Sequence, residues 1–228
     1  MFFAIINPIF VNVSRETIAQ GAVMLRTETP EVADRRLKLE LRLAQMGEVE
    51  GCREDFLKYV RKVWPEFIAG AHHKMIAKKF EDIANGKIKR LIINMPPRHT
   101  KSEFASYLLP SWIIGREPKT KIIQTTHTAE LAVNFGRKVR NLIATTEYQN
   151  IFDSVDLQSD SKAAGRWSTN HGGEYFAAGV GGAITGRGAD LLIIDDPHSE
   201  QDALSDTAME HAYEWYTSGP RQRLQPGG

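Results

Sequence analysis

The chain reads as an α/β domain whose mainly parallel sheet is flanked by helices, with a helical segment at its N-terminus. Three observations predict this. Leu91-Ile92-Ile93, Lys121-Ile122-Ile123-Gln124-Thr125 and Leu191-Leu192-Ile193-Ile194 are short, largely apolar runs that suit strands buried on both faces. They alternate with longer stretches of helical period, the pattern of a parallel sheet with crossover helices. The 228 residues, 42% hydrophobic and 25% charged, suffice for one large core or a core with an appendage.

Residues 1–31 carry no clear period and form an arm. Residues 32–46 predict an amphipathic helix with Leu37, Leu41 and Ala44 on one face and a stop at Gly47. A second helix covers 53–63, with Phe56, Val60 and Val63 aligned and Pro65 as its interruption. A third covers 71–85 and closes at Gly86. After the strand at 91–93 comes a loop, then a helix from about Ser102 to Ile114 that Pro110 kinks or ends. The strand at 121–125 leads into a long helix, Thr128 to Thr145, with Leu131, Phe135, Val139 and Leu142 inward. A further strand is expected over 174–179, the strand at 191–194 follows, and a helix spans about Asp202 to Tyr216. No internal repeat or low-complexity tract occurs.

Composition excludes several classes. Cys52 is the sole cysteine, so neither a disulfide scaffold nor a cysteine-based zinc site can form within the chain. The apolar start, Met1 to Val13, is too short for a membrane span and is broken by Asn7 and Pro8. It also lacks the basic region of a signal peptide, so a reducing cytoplasm is the expected compartment. A net charge of +1 disfavours a passive, tight nucleic-acid binder. It does not exclude a protein that grips nucleic acid transiently or through a ring of subunits. The neutral total is a cancellation. Lys87 to Lys121 holds eight Lys/Arg against two Asp/Glu, and Asp190 to Glu214 holds eight Asp/Glu and no Lys/Arg. Phosphate on one side and a cation on the other would suit this asymmetry; so would two solvated faces.

Three motifs carry chemistry. Leu91-Ile92-Ile93-Asn94 runs into Met95-Pro96-Pro97-Arg98-His99-Thr100-Lys101-Ser102. The phosphate-loop pattern G-x-x-x-x-G-K-[ST] fits at Lys101-Ser102, but Met95 and Thr100 replace both glycines. The physical needs are looser: backbone N–H groups and a helix N-terminus against phosphate, a lysine for the outer phosphates, and a hydroxyl for Mg²⁺. Pro96 and Pro97 stiffen the loop and remove two donors, leaving Arg98 to Ser102 as the cradle. A strand–turn–helix corner with a solvated lysine fits this motif equally well.

Leu191-Leu192-Ile193-Ile194-Asp195-Asp196 shifts that balance. The C-terminal end of a buried parallel strand faces the ligand crevice of an open α/β sheet. One carboxylate there can hold Mg²⁺, and a second can orient and deprotonate an attacking water. Acids also cap strands, but here a phosphate loop precedes them by 94 residues. The third motif is Gly179-Val180-Gly181-Gly182-Ala183-Ile184-Thr185-Gly186-Arg187-Gly188, with five glycines in ten residues. An arginine on such a loop is a candidate finger for transition-state charge, or else an ordinary surface residue in a turn.

Together these stretches resemble the large terminase subunit of tailed bacteriophages. The resemblance rests on Pro96-Pro97-Arg98-His99-x-Lys101-Ser102, on Ile184-Thr185-Gly186-Arg187-Gly188-Ala189-Asp190, and on Leu191 through Asp195-Asp196-Pro197. It takes in Phe56, Trp64-Pro65-x-Phe67, His72-His73, Asn85 through Arg90, Gly136-Arg137, Arg140 and the end at Arg223-Leu224-x-Pro226-Gly227-Gly228. It covers residues 53–228 and leaves 1–52 unplaced.

The resemblance implies an additional-strand P-loop ATPase domain that drives double-stranded viral DNA into a procapsid. ATP and Mg²⁺ are its implied cofactors. Its implied partners are the DNA, the portal protein, the small terminase subunit and further copies of itself, in a ring that is a pentamer in the usual picture. The implied place is the host cytoplasm and, transiently, the portal vertex. Pro97, Arg98, His99, Thr100, Lys101 and Ser102 would bind ATP, with Lys101 on the β/γ-phosphates. Ser102 and Asp195 would hold Mg²⁺, and Asp196 would be the catalytic carboxylate. Arg98 would contact the γ-phosphate, and Arg187 would act across a subunit boundary. Trp64, Phe67, His72 and His73 fall where the family shapes the adenine side, although core packing and capping account for each alone. In the family a strand with a coupling motif, and later a nuclease domain, follow. This chain is therefore expected to be an ATPase domain cut before the coupling motif, with no nuclease site of its own. Thr100, in a glycine's place, bears on affinity and turnover. The competing readings are a non-hydrolysing nucleotide- or DNA-binding module with a degenerate loop, and a helicase-like P-loop ATPase. A nuclease built on Asp195 and Asp196 is the weakest, because consecutive side chains on a strand diverge.

Overall fold

The computed structural model describes residues 29–226 and 228, so most of the arm at 1–31 lies outside the described residues. The chain divides into two compact units, Met1–Met46 and Gly47–Gly228. Helix α1, Pro30–Glu54, does not stop at Gly47. A lone glycine costs a helix only about 1 kcal/mol. Downstream, Cys52 is buried and its carbonyl accepts the Trp112 indole N–H at 2.9 Å, which fixes the last turns. Leu37 and Leu41, expected to face inward, are exposed.

Asp55 then caps α2, Phe56–Val63, by accepting the Lys58 N–H at 2.9 Å. Helix α3 spans Ala71–Ala84, and Gly86 follows it with φ 69°, the left-handed turn that ends it. A helix beginning at Lys101 passes through a π-helical stretch, Glu103–Leu108, into α4, Leu109–Arg116. Strand β1 is Lys121–Thr126, and α5 is Ala129–Ile143, capped by Thr128. The short α6, Thr146–Gln149, precedes a hairpin of β2, Leu157–Ala163, and β3, Arg166–Thr169. Strands β4, Glu174–Gly179, and β5, Leu191–Ile194, follow, and α7, Asp206–Ser218, comes after a single 3-10 turn, Asp202–Leu204.

The strand order is β2-β3-β4-β1-β5. β1 lies between β4 and β5 and is parallel to both, while β2–β3 and β3–β4 are antiparallel. The sheet is therefore mixed rather than mainly parallel. The polar, exposed sequence of β2 carries no strand signal, which is why the hairpin escaped the periodicity.

The run Leu91-Ile92-Ile93 is a second correction. Residues 91–96 form no regular element and join no ladder. Leu91 and Ile93 pack on the core, whereas Ile92 is 86% exposed. A groove of about 910 Å³ is lined both by residues 88–95 and by residues 190–198. The segment thus shares a groove with β5 rather than a ladder.

The core fills one face of the sheet. Period-two alternation sends Ile122, Tyr175 and Ile193 to that face, where they join Phe56, Phe80, Phe104 and Trp112. Phe56 is the hub: its ring meets those of Phe80, Phe104 and Trp112 edge-on at 5.4, 5.5 and 5.3 Å. Helix α5 lies close on the sheet because of Gly136, where a Cβ would sit 2.6 Å from the Ala164 carbonyl oxygen. No helix among the described residues is long and apolar enough to cross a membrane.

Candidate functional site

The parallel strands β1, β4 and β5 end along one edge, and the two acids lie one step beyond β5. Continuing the alternation of Leu191 and Ile193, Asp195 turns to the core face and is 6% exposed. A buried carboxylate needs partners. It receives the Ser106 hydroxyl at 2.8 Å, and Ser106 in turn accepts the Gln124 amide N–H at 3.0 Å. Lys101 Nζ lies 3.4 Å from Asp195 Oδ1 and also contacts Asp196 Oδ1.

Two consecutive strand residues should not face the same cation, and their carboxylates were expected to diverge. Asp196 has φ 43°, which breaks the pleat and turns its side chain back to Lys101. Burial alone would lower the Lys101 pKa. The Asp196 hydrogen bond and the charges of Asp195 and Asp196 outweigh it and raise the pKa, so Lys101 stays cationic.

Backbone strain is confined to the same place. Among the described residues, those other than glycine with positive φ are Arg98 (63°), Thr100 (61°) and Asp196. All three lie in the two motifs singled out from sequence. Such conformations cost about 1–3 kcal/mol each and cluster at functional sites.

The loop has its own fastenings. The His99 ring Nδ1–H donates to the Pro97 carbonyl at 2.9 Å, and the Thr100 hydroxyl donates to the His99 carbonyl at 2.6 Å. The Thr100 carbonyl accepts the Phe104 N–H at 3.0 Å and so starts the helix. Lys101 and Ser102 therefore stand in the first turn, where N–H groups lack helical partners and the dipole favours anions. Arg98 is exposed on the loop. Pro110 does not end the helix, which runs on to Arg116. It lacks an N–H and crowds the carbonyl four residues back, and the π-helical stretch absorbs this, with the Leu109 N–H bonding to the Phe104 carbonyl. Ser106 lies within that stretch.

The structure thus brings together Lys101, Asp195 and Asp196, with Pro97 to Thr100 and Ser102 on the adjoining loop and first turn. Arg187 is elsewhere. It stacks over Phe176 at 4.0 Å and lies 4.0 Å from Glu174, the first residue of β4, whereas the acids sit past the other end of the strands. Phe67 and His73 belong to the core beside Phe104, and Trp64 packs on Phe67 at 5.3 Å. Ser106 and Gln124 were missed. Signals for both existed: Ser106 is four residues after Ser102 on the same helix, and Gln124 is an amide within an apolar strand.

Among the described residues no group of three His, Cys, Asp or Glu could hold a metal ion. Mg²⁺ does not require one. It commonly takes one or two carboxylates and draws its remaining oxygens from water and phosphate. The hard oxygens of Asp195 and Ser102 suit that role. Comparison with known proteins finds no matching family profile and no matching curated sequence.

Proposed function

We propose that the chain is a Mg²⁺-dependent ATPase of additional-strand P-loop type that drives double-stranded viral DNA into a procapsid, as the motor domain of a large terminase subunit. The observation that carries this reading is Lys101, held between Asp195 and Asp196 at the joint of a strained loop and a helix N-terminus. A lysine that reaches the outer phosphates and acids on a neighbouring parallel strand are the working parts of phosphoryl transfer in such enzymes. Residues 88–95, which lead into the loop, and β5, which leads into the acids, line one groove.

On this reading the first-turn N–H groups and Lys101 bind the β- and γ-phosphates of ATP. Ser102 and Asp195 hold Mg²⁺, which neutralises phosphate charge. Ser106 and Gln124 fix the Asp195 carboxylate so that it need not reorient. Asp196, 62% exposed, accepts the proton of the attacking water. Arg98 contacts the γ-phosphate. Arg187, placed away from this cluster, serves a neighbouring copy in the ring that forms on the portal protein, with the small terminase subunit and the DNA as further partners. Phosphate release from ATP, with and without Mg²⁺, tests the assignment. Lys101→Ala is expected to abolish it, and full turnover in that variant overturns the site.

A further inference from the structure

A phosphate loop uses glycine before its lysine because the backbone there must turn left-handed and approach the ligand. This chain has Thr100 at that position, with φ 61°. A β-branched residue is poorly suited to that conformation. Something must hold it there, and the neighbouring contacts show what does.

His73 stands at the third position of α3. Its Nδ1 accepts the Gly70 N–H at 2.9 Å, so the proton of the neutral ring is on Nε2. That Nε2–H faces Thr100 Oγ1 at 2.6 Å, and the same hydroxyl passes its own proton to the His99 carbonyl. Each donor therefore meets an acceptor. The imidazole is itself packed in: it is 7% exposed, with the rings of Phe67 at 4.8 Å and Phe104 at 4.9 Å. A fixed donor thus holds a strained residue one position before the lysine of the site.

We propose that His73 is a positioning residue for the loop: its hydrogen bond to Thr100 keeps the threonine left-handed, and the pair replaces the glycine that would otherwise set the direction in which Lys101 leaves the loop. The effect on nucleotide rests on the reading above, while the latch itself does not.

A double-mutant cycle on the full chain tests this, with His73→Ala measured against both Thr100 and Thr100→Gly. The readouts are ADP·Mg²⁺ affinity by calorimetry and the urea unfolding midpoint. The core packing lost in His73→Ala is common to both backgrounds and cancels. The latch predicts that His73→Ala weakens ADP about tenfold when Thr100 is present and by less than about twofold after Thr100→Gly, the worth of one buried hydrogen bond. The unfolding midpoint is expected to show coupling of the same sign. In His73→Gln an amide N–H can replace Nε2–H, and it is expected to recover part of both losses. Equal losses in the two backgrounds overturn the latch. If the unsubstituted chain binds no ADP, the nucleotide reading fails by itself, and the unfolding cycle still decides the latch.

Discussion

Ser106 donates its hydroxyl proton to Asp195 at 2.8 Å across 89 positions of sequence, inside the core. The bond ties the helix that carries the loop to the strand that carries the acids. Removing one partner leaves a buried carboxylate short of a donor. Ser106→Ala is expected to destabilise the chain by about 1–3 kcal/mol, read from urea unfolding. It should also lower the rate of phosphate release with little change in the apparent KM for ATP. A variant as stable and as active as the parent would show that Asp195 is not held this way.

Asp196 and Lys101 should separate chemistry from binding. Asp196→Asn is expected to keep ADP·Mg²⁺ binding and to lose on the order of a hundredfold or more in phosphate release, as befits a proton acceptor. Equal loss of binding and turnover would assign Asp196 to the ground-state complex instead.

Arg187 lies against Phe176 and Glu174, away from Asp195 and Asp196. A role in a neighbouring copy makes turnover per chain rise with protein concentration, and Arg187→Ala should abolish that rise. Turnover strictly proportional to concentration in the parent chain would count against the role.

His73 also gives the stability a pH dependence. Burial first, then the neighbouring His72 and His99, lowers its pKa below the ordinary 6.5. The folded chain then binds fewer protons than the unfolded chain in the range between the two values. The contribution is complete above about pH 6.5 and is lost as pH falls through the lowered folded value. Urea midpoints at about pH 7.5 and about pH 5.5 should differ less in His73→Gln than in the parent. An unchanged difference would remove His73 from the account.

Gly136→Ala tests the packing of α5. A Cβ there meets the Ala164 carbonyl oxygen at 2.6 Å and the fully buried Tyr175 ring at 2.9 Å. The expected cost is about 1–3 kcal/mol in unfolding free energy. No change would mean that the helix shifts freely on the sheet.

Sequence reading located β1, β4 and β5 and most helices, because apolar runs and helical period record burial directly. It singled out Lys101, Asp195 and Asp196, whose residue types the proposed chemistry requires. It failed where structure depends on neighbours. Leu91-Ile92-Ile93 has the composition of a strand, but a strand exists only against another one. Strand β2 is polar and largely exposed, and β3, which buries Trp167 and Thr169, is only four residues long, so the hairpin leaves too short a pattern to mark it. The convergence of Asp195 and Asp196 on one lysine depends on a single φ angle that no spacing rule contains. Thr100 read as a departure from the glycine pattern, because its partner His73 lies 27 positions away.

The two edges of the sheet are not alike. On β2, exposed serine, aspartate and lysine side chains and an irregular register guard the row of free amides and carbonyls. β5 ends the sheet on its other side with Leu191-Leu192-Ile193-Ile194, an apolar strand whose acids, Asp190 and Asp195-Asp196, stand only at its two ends, beside an apolar groove. An edge of that kind is a ready template for another extended chain. When this polypeptide is concentrated, β5 is where clumping should begin, and charge placed along that edge should keep it in solution.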